Sequence, residues 1–317
     1  MQRRRLVRIL ASAIGFAALP GPRATGAQRP WRWRGSALGA QARIDLWLDD
    51  PAQARRLVGL CLAEIDRLER IFSLQRRDSD LVRLNRDGAL SRPPLELVAV
   101  LETAARVAGR TDGAFDVTVQ PLWRLHADHF ARPGRDPVGP PARDLERLRP
   151  LVDHRALEVE PGRVRLARPG MAVTLNGIAQ GFVADRLATL LQDQGVASVL
   201  LDVGEIATVG TAPGGGDWRV RAGGPDGPAL DLARGAVATS SPAALSFDGG
   251  GRFSHLLDPA TLRPSAHAAE VTVVADSATL ADALSTALSV RPALVRTAPL
   301  GLDGVRAVLQ RPPPAAA

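Results

Sequence analysis

The apolar positions of this chain fall into short runs whose period changes along its length. Leu57, Leu60, Cys61, Ile65 and Leu68 recur at helical spacing, so residues 52–70 are predicted as an amphipathic helix. Ahead of it, residues 42–48 alternate weakly, in the manner of an edge strand, and Pro51 closes that strand. Asp78-Ser79-Asp80 supplies helix-capping types before Leu81, Val82 and Leu84. A second long helix is predicted over 94–110, with Leu97, Val98, Leu101, Ala104, Ala105 and Ala108 on its apolar side. Residues 131–150 hold five prolines and little periodicity, which reads as a surface insertion leading to a short helix. From Leu157 the pattern shifts to short strands between Pro-Gly turns, at 157–159, 164–166 and 171–175. A helix over 178–194 ends at Gly195, and the apolar run 199–203 reads as a buried strand. Further strands are predicted at 218–221, 236–239 and 271–274, and a last helix at 278–290. Helices and strands mix without strict alternation, which predicts an α+β fold of largely antiparallel sheets with packed helices.

Composition narrows the class. A chain of 317 residues with 45% hydrophobic and 23% charged residues has the make-up of a soluble globular protein able to bury a sizeable core. No uncharged apolar run approaches the roughly 18 residues of a membrane span. The net charge of +7 is misleading until it is located: residues 1–27 contain five arginines and no acid, leaving +2 for the remainder. There is no basic stripe interleaved with aromatics, so no nucleic-acid partner is expected. One cysteine, Cys61, excludes an intramolecular disulfide and a multi-cysteine metal site. Neither a Gly-x-Gly-x-x-Gly turn after a strand nor a Gly-x-x-x-x-Gly-Lys-[Ser/Thr] loop is present.

The N-terminus reads as an address. Arg3-Arg4-Arg5 precedes the apolar stretch from Ile9 to Leu19, and Thr25-Gly26-Ala27 is a small-x-small cleavage site. Adjacent arginines suit twin-arginine export of a folded protein, which would make the product periplasmic. The division expected is an export segment over 1–27 and one catalytic domain over 28–317. A basic tail on a cytosolic protein is the alternative.

Four polar segments are too specific in composition for ordinary loops. They are Thr111-Asp112-Gly113-Ala114-Phe115-Asp116-Val117-Thr118-Val119-Gln120-Pro121-Leu122; Thr174-Leu175-Asn176-Gly177-Ile178-Ala179-Gln180-Gly181-Phe182-Val183-Ala184-Asp185; His255-Leu256-Leu257-Asp258-Pro259-Ala260-Thr261, preceded by Ala238-Thr239-Ser240-Ser241; and Val271-Thr272-Val273-Val274, followed by Leu280-Ala281-Asp282-Ala283-Leu284-Ser285-Thr286-Ala287. Asp282 and Thr286 stand four apart on a predicted helix, so their oxygens share one side, with Ser285 near enough to add a hydroxyl. Hard oxygen donors of this kind suit Mg2+, although such a pair also occurs as plain polar surface or as a capping network. His255 is the candidate general base, since neutral imidazole accepts a proton near pH 7, while a lone histidine is commonly structural. Phe115 could cover a flat ring or simply pack in the core, and Asp116 could accept hydrogen bonds from a bound nucleotide.

In joint order and spacing, these segments resemble the ApbE family, the FAD:protein FMN transferases, over about 72–290. The resemblance implies an ApbE-like fold and an enzyme that takes FAD as substrate. Its FMN half passes to a Thr or Ser hydroxyl of an acceptor protein, with Mg2+ as cofactor and AMP released. It further implies an acceptor redox protein carrying an Asp-Gly-[Ser/Ala]-Thr-type motif. Carried over residue by residue, FAD contacts map to Leu38, to Asp80, Leu81 and Val82, to Ala114, Phe115 and Asp116, and to Thr174, Gln180 and Leu257. The metal maps to Gly177, Asp282, Ser285 and Thr286, and the catalytic base to His255. Thr239-Ser240-Ser241 resembles a hydroxyl-rich turn near the phosphates. Several positions depart from the family pattern: Gln180 stands where Lys is frequent, Thr174 where Asp is, Asn176 where Gly is, and Val203-Gly204-Glu205-Ile206 has lost one Gly. Loss of an acid and a base in one turn keeps its charge balanced, which suggests a variant subgroup. Two other readings stay open, an FAD pyrophosphatase giving FMN and AMP and a non-catalytic flavin-binding assembly protein.

Overall fold

The structure is a computed structural model that describes residues 29–223, 227–297 and 303–311; the predicted export segment lies outside the described residues. Its centre is a seven-stranded antiparallel sheet. In spatial order the strands are Trp31–Ala37, Ala40–Leu46, Ser198–Asp202, Ile206–Gly210, Gly235–Ser240, Glu270–Ala275 and Val305–Arg311. Alternate residues serve opposite faces. Val199 and Leu201 join the main core beneath the helices, whereas Leu200, Ile206, Val237 and Val274 pack beneath a two-stranded ribbon, Trp218–Arg221 with Ala229–Leu232. Burial on both faces is why 199–203 reads as an unbroken apolar run.

Helix Ala278–Val290 lies on the sheet against strands Gly235–Ser240 and Glu270–Ala275, and helix Ala179–Asp193 packs beside it. Around this pair sit Pro51–Phe72 and Leu95–Arg110, which touch Ala179–Asp193 and Ala278–Val290 respectively. Every residue of Ala278–Val290 is buried except Leu280 and Thr286, so this helix is a central one. A small sheet, Ala89–Ser91, Arg163–Leu166 and Leu157–Glu160, closes one side. Among the described residues no helix is long and apolar enough to cross a membrane.

The α+β architecture with antiparallel sheets is as expected, but three local expectations are corrected. Strand Ala40–Leu46 is interior, flanked by Trp31–Ala37 and Ser198–Asp202, and the edge belongs to Trp31–Ala37. Its weak alternation comes from a buried acid, Asp45, which receives both Arg32 nitrogens at 2.7 and 2.9 Å. Pro51 begins the first helix rather than closing a strand, because Asp50 caps that helix through the Ala52 N–H at 2.7 Å and a first-turn proline gives up no bond. Residues 171–175 join no sheet: Asn85 brackets Val173 through its N–H (2.6 Å) and carbonyl (2.8 Å), and the Thr174 N–H donates to the Val117 carbonyl at 2.8 Å. That replaces a strand's ladder with a side-chain clamp and ties two of the polar segments together.

Candidate active site

The site is built outward from the contact between two helices. Asp185, on Ala179–Asp193, accepts four hydrogen bonds at the start of Ala278–Val290: from Ser277 Oγ (2.7 Å), the Ala278 N–H (2.7 Å), the Thr279 N–H (2.9 Å) and Thr279 Oγ1 (2.6 Å). One carboxylate thus satisfies donors that a helix start leaves open. The helices cross at Gly181, where an added Cβ would lie 2.2 Å from the Ala278 carbonyl oxygen. This closeness lets the Gly181 N–H donate to Asp282 Oδ2 at 3.1 Å.

Asp282 is 3% exposed, and burial raises its carboxyl above the usual range, with Asp185 adding to the rise. Glu205, between strands Ser198–Asp202 and Ile206–Gly210, is 6% exposed and is pushed up strongly, first by burial and then by Asp282. Its Oε2 accepts the Thr239 N–H at 3.3 Å. Hydroxyls gather around the pair. Ser240 Oγ lies 2.8 Å from Ser285 Oγ and 3.1 Å from Thr286 Oγ1. Opposite them, a Cβ on Gly177 would sit 2.8 Å from Thr286 Oγ1, so the backbone here approaches as only glycine allows. Two buried carboxylates that repel each other, ringed by hydroxyl and backbone oxygens, form a hard donor set fit for a magnesium-like cation. Among the described residues no three His, Cys, Asp or Glu side chains converge.

These groups open into one cavity of about 1560 Å³, counting its open side. Its other wall carries His255, whose Nδ1 lies 3.0 Å from the Leu245 carbonyl. A carbonyl only accepts, so Nδ1 holds the proton and Nε2 is left as the basic nitrogen. Burial lowers the pKa of His255 below the ordinary imidazole value, which favours the neutral ring. Asp282 and His255 therefore face the same space.

Leu38, Ala114, Phe115, Asp116, Thr174, Gly177, Gln180, Leu257 and Thr286 line this cavity as well. Phe115 is at once wall and core, at 4% exposure. Gln180 lays its amide over Gly204, 2.5 Å from where a Cβ would stand. Asp116 is committed to its own chain: it accepts from the Thr118 N–H (2.7 Å), Thr118 Oγ1 (2.6 Å) and the His154 N–H (2.9 Å). Its carboxylate thus fixes the turn and has little capacity left for a ligand.

Four predicted positions are not on the cavity wall. Leu81 is fully buried core, Asp80 pairs with Arg83 at 2.9 Å, and Val82 follows on the same turn. Their helix, Asp80–Asp87, acts at one remove: its cap Ser79 donates to the Ser73 carbonyl at 2.6 Å, and Ser73, Leu74 and Gln75 line the cavity. Ser285 lies behind Ser240 and donates to the Asp282 carbonyl at 2.9 Å.

Sequence reasoning did not name Glu205, Ser240 or Asp185 among the ligand, metal or catalytic residues, although it set Ser240 in a hydroxyl-rich turn near the phosphates and Asp185 at the end of the second polar segment. Glu205 carried a readable signal, an acid set between two apolar runs where only a buried turn fits. Asp185 closed a polar segment, but its role could not be read there, because its partners are more than ninety residues away.

Comparison with known proteins accords with this geometry. A protein of Escherichia coli K12 called FAD:protein FMN transferase is 29% identical over 303 residues, 90% of this chain and 86% of its own. One of Vibrio cholerae with the same name is 34% identical over 246 residues, 72% of each chain. The apo flavinyl transferase ApbE of Pseudomonas stutzeri superposes with a TM-score of 0.75 at 26% identity, covering 91% of this chain and 96% of that one. The ApbE protein of Thermotoga maritima gives 0.76, also at 26% identity, over 89% and 94%. The sequence profile of the ApbE family matches residues 38–300, which include every wall of the cavity, and this chain belongs to that family.

Proposed function

We propose that this chain is an FAD:protein FMN transferase that moves the FMN half of FAD onto a Thr or Ser hydroxyl of an acceptor protein and releases AMP. The observation that carries the reading is the cavity's charge. Asp116, Glu205 and Asp282 line it and, among the described residues, no arginine does, in a chain without a single lysine. A diphosphate could not settle among buried acids without a cation, and the oxygen cluster at Asp282 is where one would be held. Asp282, Thr286 and the backbone of Gly177 would hold Mg2+, which supplies counter-charge for the diphosphate and its transition state.

The protein's own groups do the rest. Leu38, Phe115, Trp123 and Leu257 offer apolar cover for a flat ring system, and Ser240, Ser241 and Gln180 offer polar contacts to the phosphates and sugars. Basic Nε2 of His255 takes the proton of the incoming hydroxyl. The hydroxyl oxygen bonds to the phosphorus of the FMN half, the bond from that phosphorus to the bridging oxygen breaks, and AMP leaves with that oxygen. The acceptor is a redox protein outside the cytoplasm, supported by the export pattern of residues 1–27.

Incubating the protein with FAD, Mg2+ and an acceptor carrying an Asp-Gly-Ser-Thr segment tests this directly. A flavin-fluorescent band that survives denaturation, and disappears with EDTA, is the expected result. Free FMN with no labelled band would show the pyrophosphatase instead.

A further inference from the structure

A second depression lies directly behind the histidine wall. Residues 255–257 face the cavity, while Asp258, Arg263, Pro264 and Ser265 turn the other way and line this depression; Val290 lines both. Arg291 joins the two spaces. Its Nη2 donates to Asp258 Oδ1 at 3.0 Å and its Nη1 to the Asp112 carbonyl at 2.9 Å, one residue before the Gly113 turn that presents Ala114 and Phe115 to the cavity. On the rim, Arg263 and His267 are exposed, and among the described residues Arg263 has no ion-pair partner.

We propose that this depression is the docking groove for an acidic, extended segment of the acceptor protein. The inference rests on the transferase reading and deepens it. A group transfer to a protein needs a surface that holds the acceptor chain near the base, and this groove begins at Asp258, three residues beyond His255, and meets the cavity at Val290. Its charge is opposite to that of the cavity. Among the described residues the charged side chains lining the cavity are the carboxylates Asp116, Glu205 and Asp282, whereas the groove carries Arg263 and Arg291 against Asp258; Arg291 is engaged by Asp258 at 3.0 Å and lies 3.8 Å from Asp112 Oδ2, which leaves Arg263 as the cation open to a partner. An acidic segment is drawn to the groove and repelled by the cavity, so only its hydroxyl-bearing residue needs to reach over the wall.

The test uses the full chain with FAD and Mg2+ and a fluorescein-labelled synthetic peptide with an Asp-Gly-Ser-Thr centre flanked by Glu residues. A twin peptide carries Gln at the flanks. Anisotropy should show the Glu peptide binding about tenfold more tightly than its twin, with the difference shrinking as salt is raised. Arg263→Glu should abolish that preference, and a third peptide with Lys flanks should recover binding on this variant. An unchanged circular dichroism spectrum and melting temperature show that the variant folds. Equal binding of the Glu and Gln peptides, no binding of either, or an unaltered preference in Arg263→Glu would overturn the groove. So would a concentration-dependent dimer that Arg263→Glu dissociates, since the face would then be a subunit contact. Labelling of the peptide by FMN is read separately on a denaturing gel. Charge-dependent binding without labelling leaves the groove standing and removes the transferase reading; equal labelling of both peptides by the protein and by Arg263→Glu does the reverse.

Discussion

The two walls of the cavity are made in different ways. The acid wall stands on helix Ala278–Val290, buried on nearly every side and held at its start by four hydrogen bonds to Asp185. The histidine wall stands on an irregular stretch. A single bridge, Ser246 to Ser254, and one backbone bond, Phe247 N–H to the Phe253 carbonyl at 2.8 Å, close a glycine-rich tip over 249–251. His255 itself is held by the Leu245 carbonyl, through both its backbone N–H and Nδ1 at 3.0 Å. The contrast follows from what each wall must do. Mutually repelling carboxylates stay together only when the surrounding structure over-determines their positions. A base needs one fixed nitrogen and room for an incoming chain, which a loop provides.

Replacing groups on either wall should separate these roles. Asp282→Ala should lower flavin transfer by about a thousandfold or more, measured as labelled acceptor per minute, because it removes the carboxylate that shares a helix face with Thr286, leaving only Glu205 across the cluster. Retention of more than a tenth of the rate would mean that the acid wall is not where the cation acts. Asp185→Ala should cost about 3 kcal/mol in urea unfolding, since it leaves helix-start N–H groups unpaired. His255→Gln should slow transfer about a hundredfold in kcat with little change in FAD affinity or unfolding midpoint. A loss of stability matching that of Asp185→Ala would erase the distinction between rigid and loosely held walls.

The last effect concerns pH. His126 supports the histidine wall, stacking on Phe247 at 5.6 Å between ring centres, with Nε2 3.4 Å from the Leu262 carbonyl. Burial lowers its pKa from 6.5 to about 4. The unfolded chain therefore takes up a proton between about pH 6.5 and 4 that the folded chain refuses, and stability falls as pH drops through that window, by about 3 kcal/mol. Asp202 runs the other way: burial raises it from 3.8 to about 6, so its contribution is lost as pH rises over that range. Comparing unfolding midpoints of the protein and His126→Leu at pH 7 and pH 4.5 isolates the histidine, and the variant should show the flatter acid limb.

Much of this is legible in the sequence. The spacing of Leu57, Cys61, Ile65 and Leu68 placed the first helix, and the capping type of Ser79 placed the second; both occur where expected, as Pro51–Phe72 and Asp80–Asp87. The four polar segments also supply most of the cavity lining. The edge strand Trp31–Ala37 was missed because the alternation of Trp31 and Trp33 with Arg32 and Arg34 lasts only four residues before Gly35-Ser36 breaks it. Asp80, Leu81 and Val82 were expected at the ligand but stand behind the 73–75 loop, since a motif marks a region and not which of its side chains points inward.

What the sequence determined by itself is local: where apolar period makes helices, where capping residues start them, and which segments carry oxygen and imidazole donors. Those features depend on neighbours a few positions apart, which any reader of the chain can see. Only the tertiary structure decided that Glu205 presses against Asp282, that Asp116 is consumed by Thr118 and His154, and that Arg263 faces a groove behind His255. Each depends on burial and on partners brought together by sheet order and helix crossing, and charge in a protein interior has no fixed meaning until its surroundings are known.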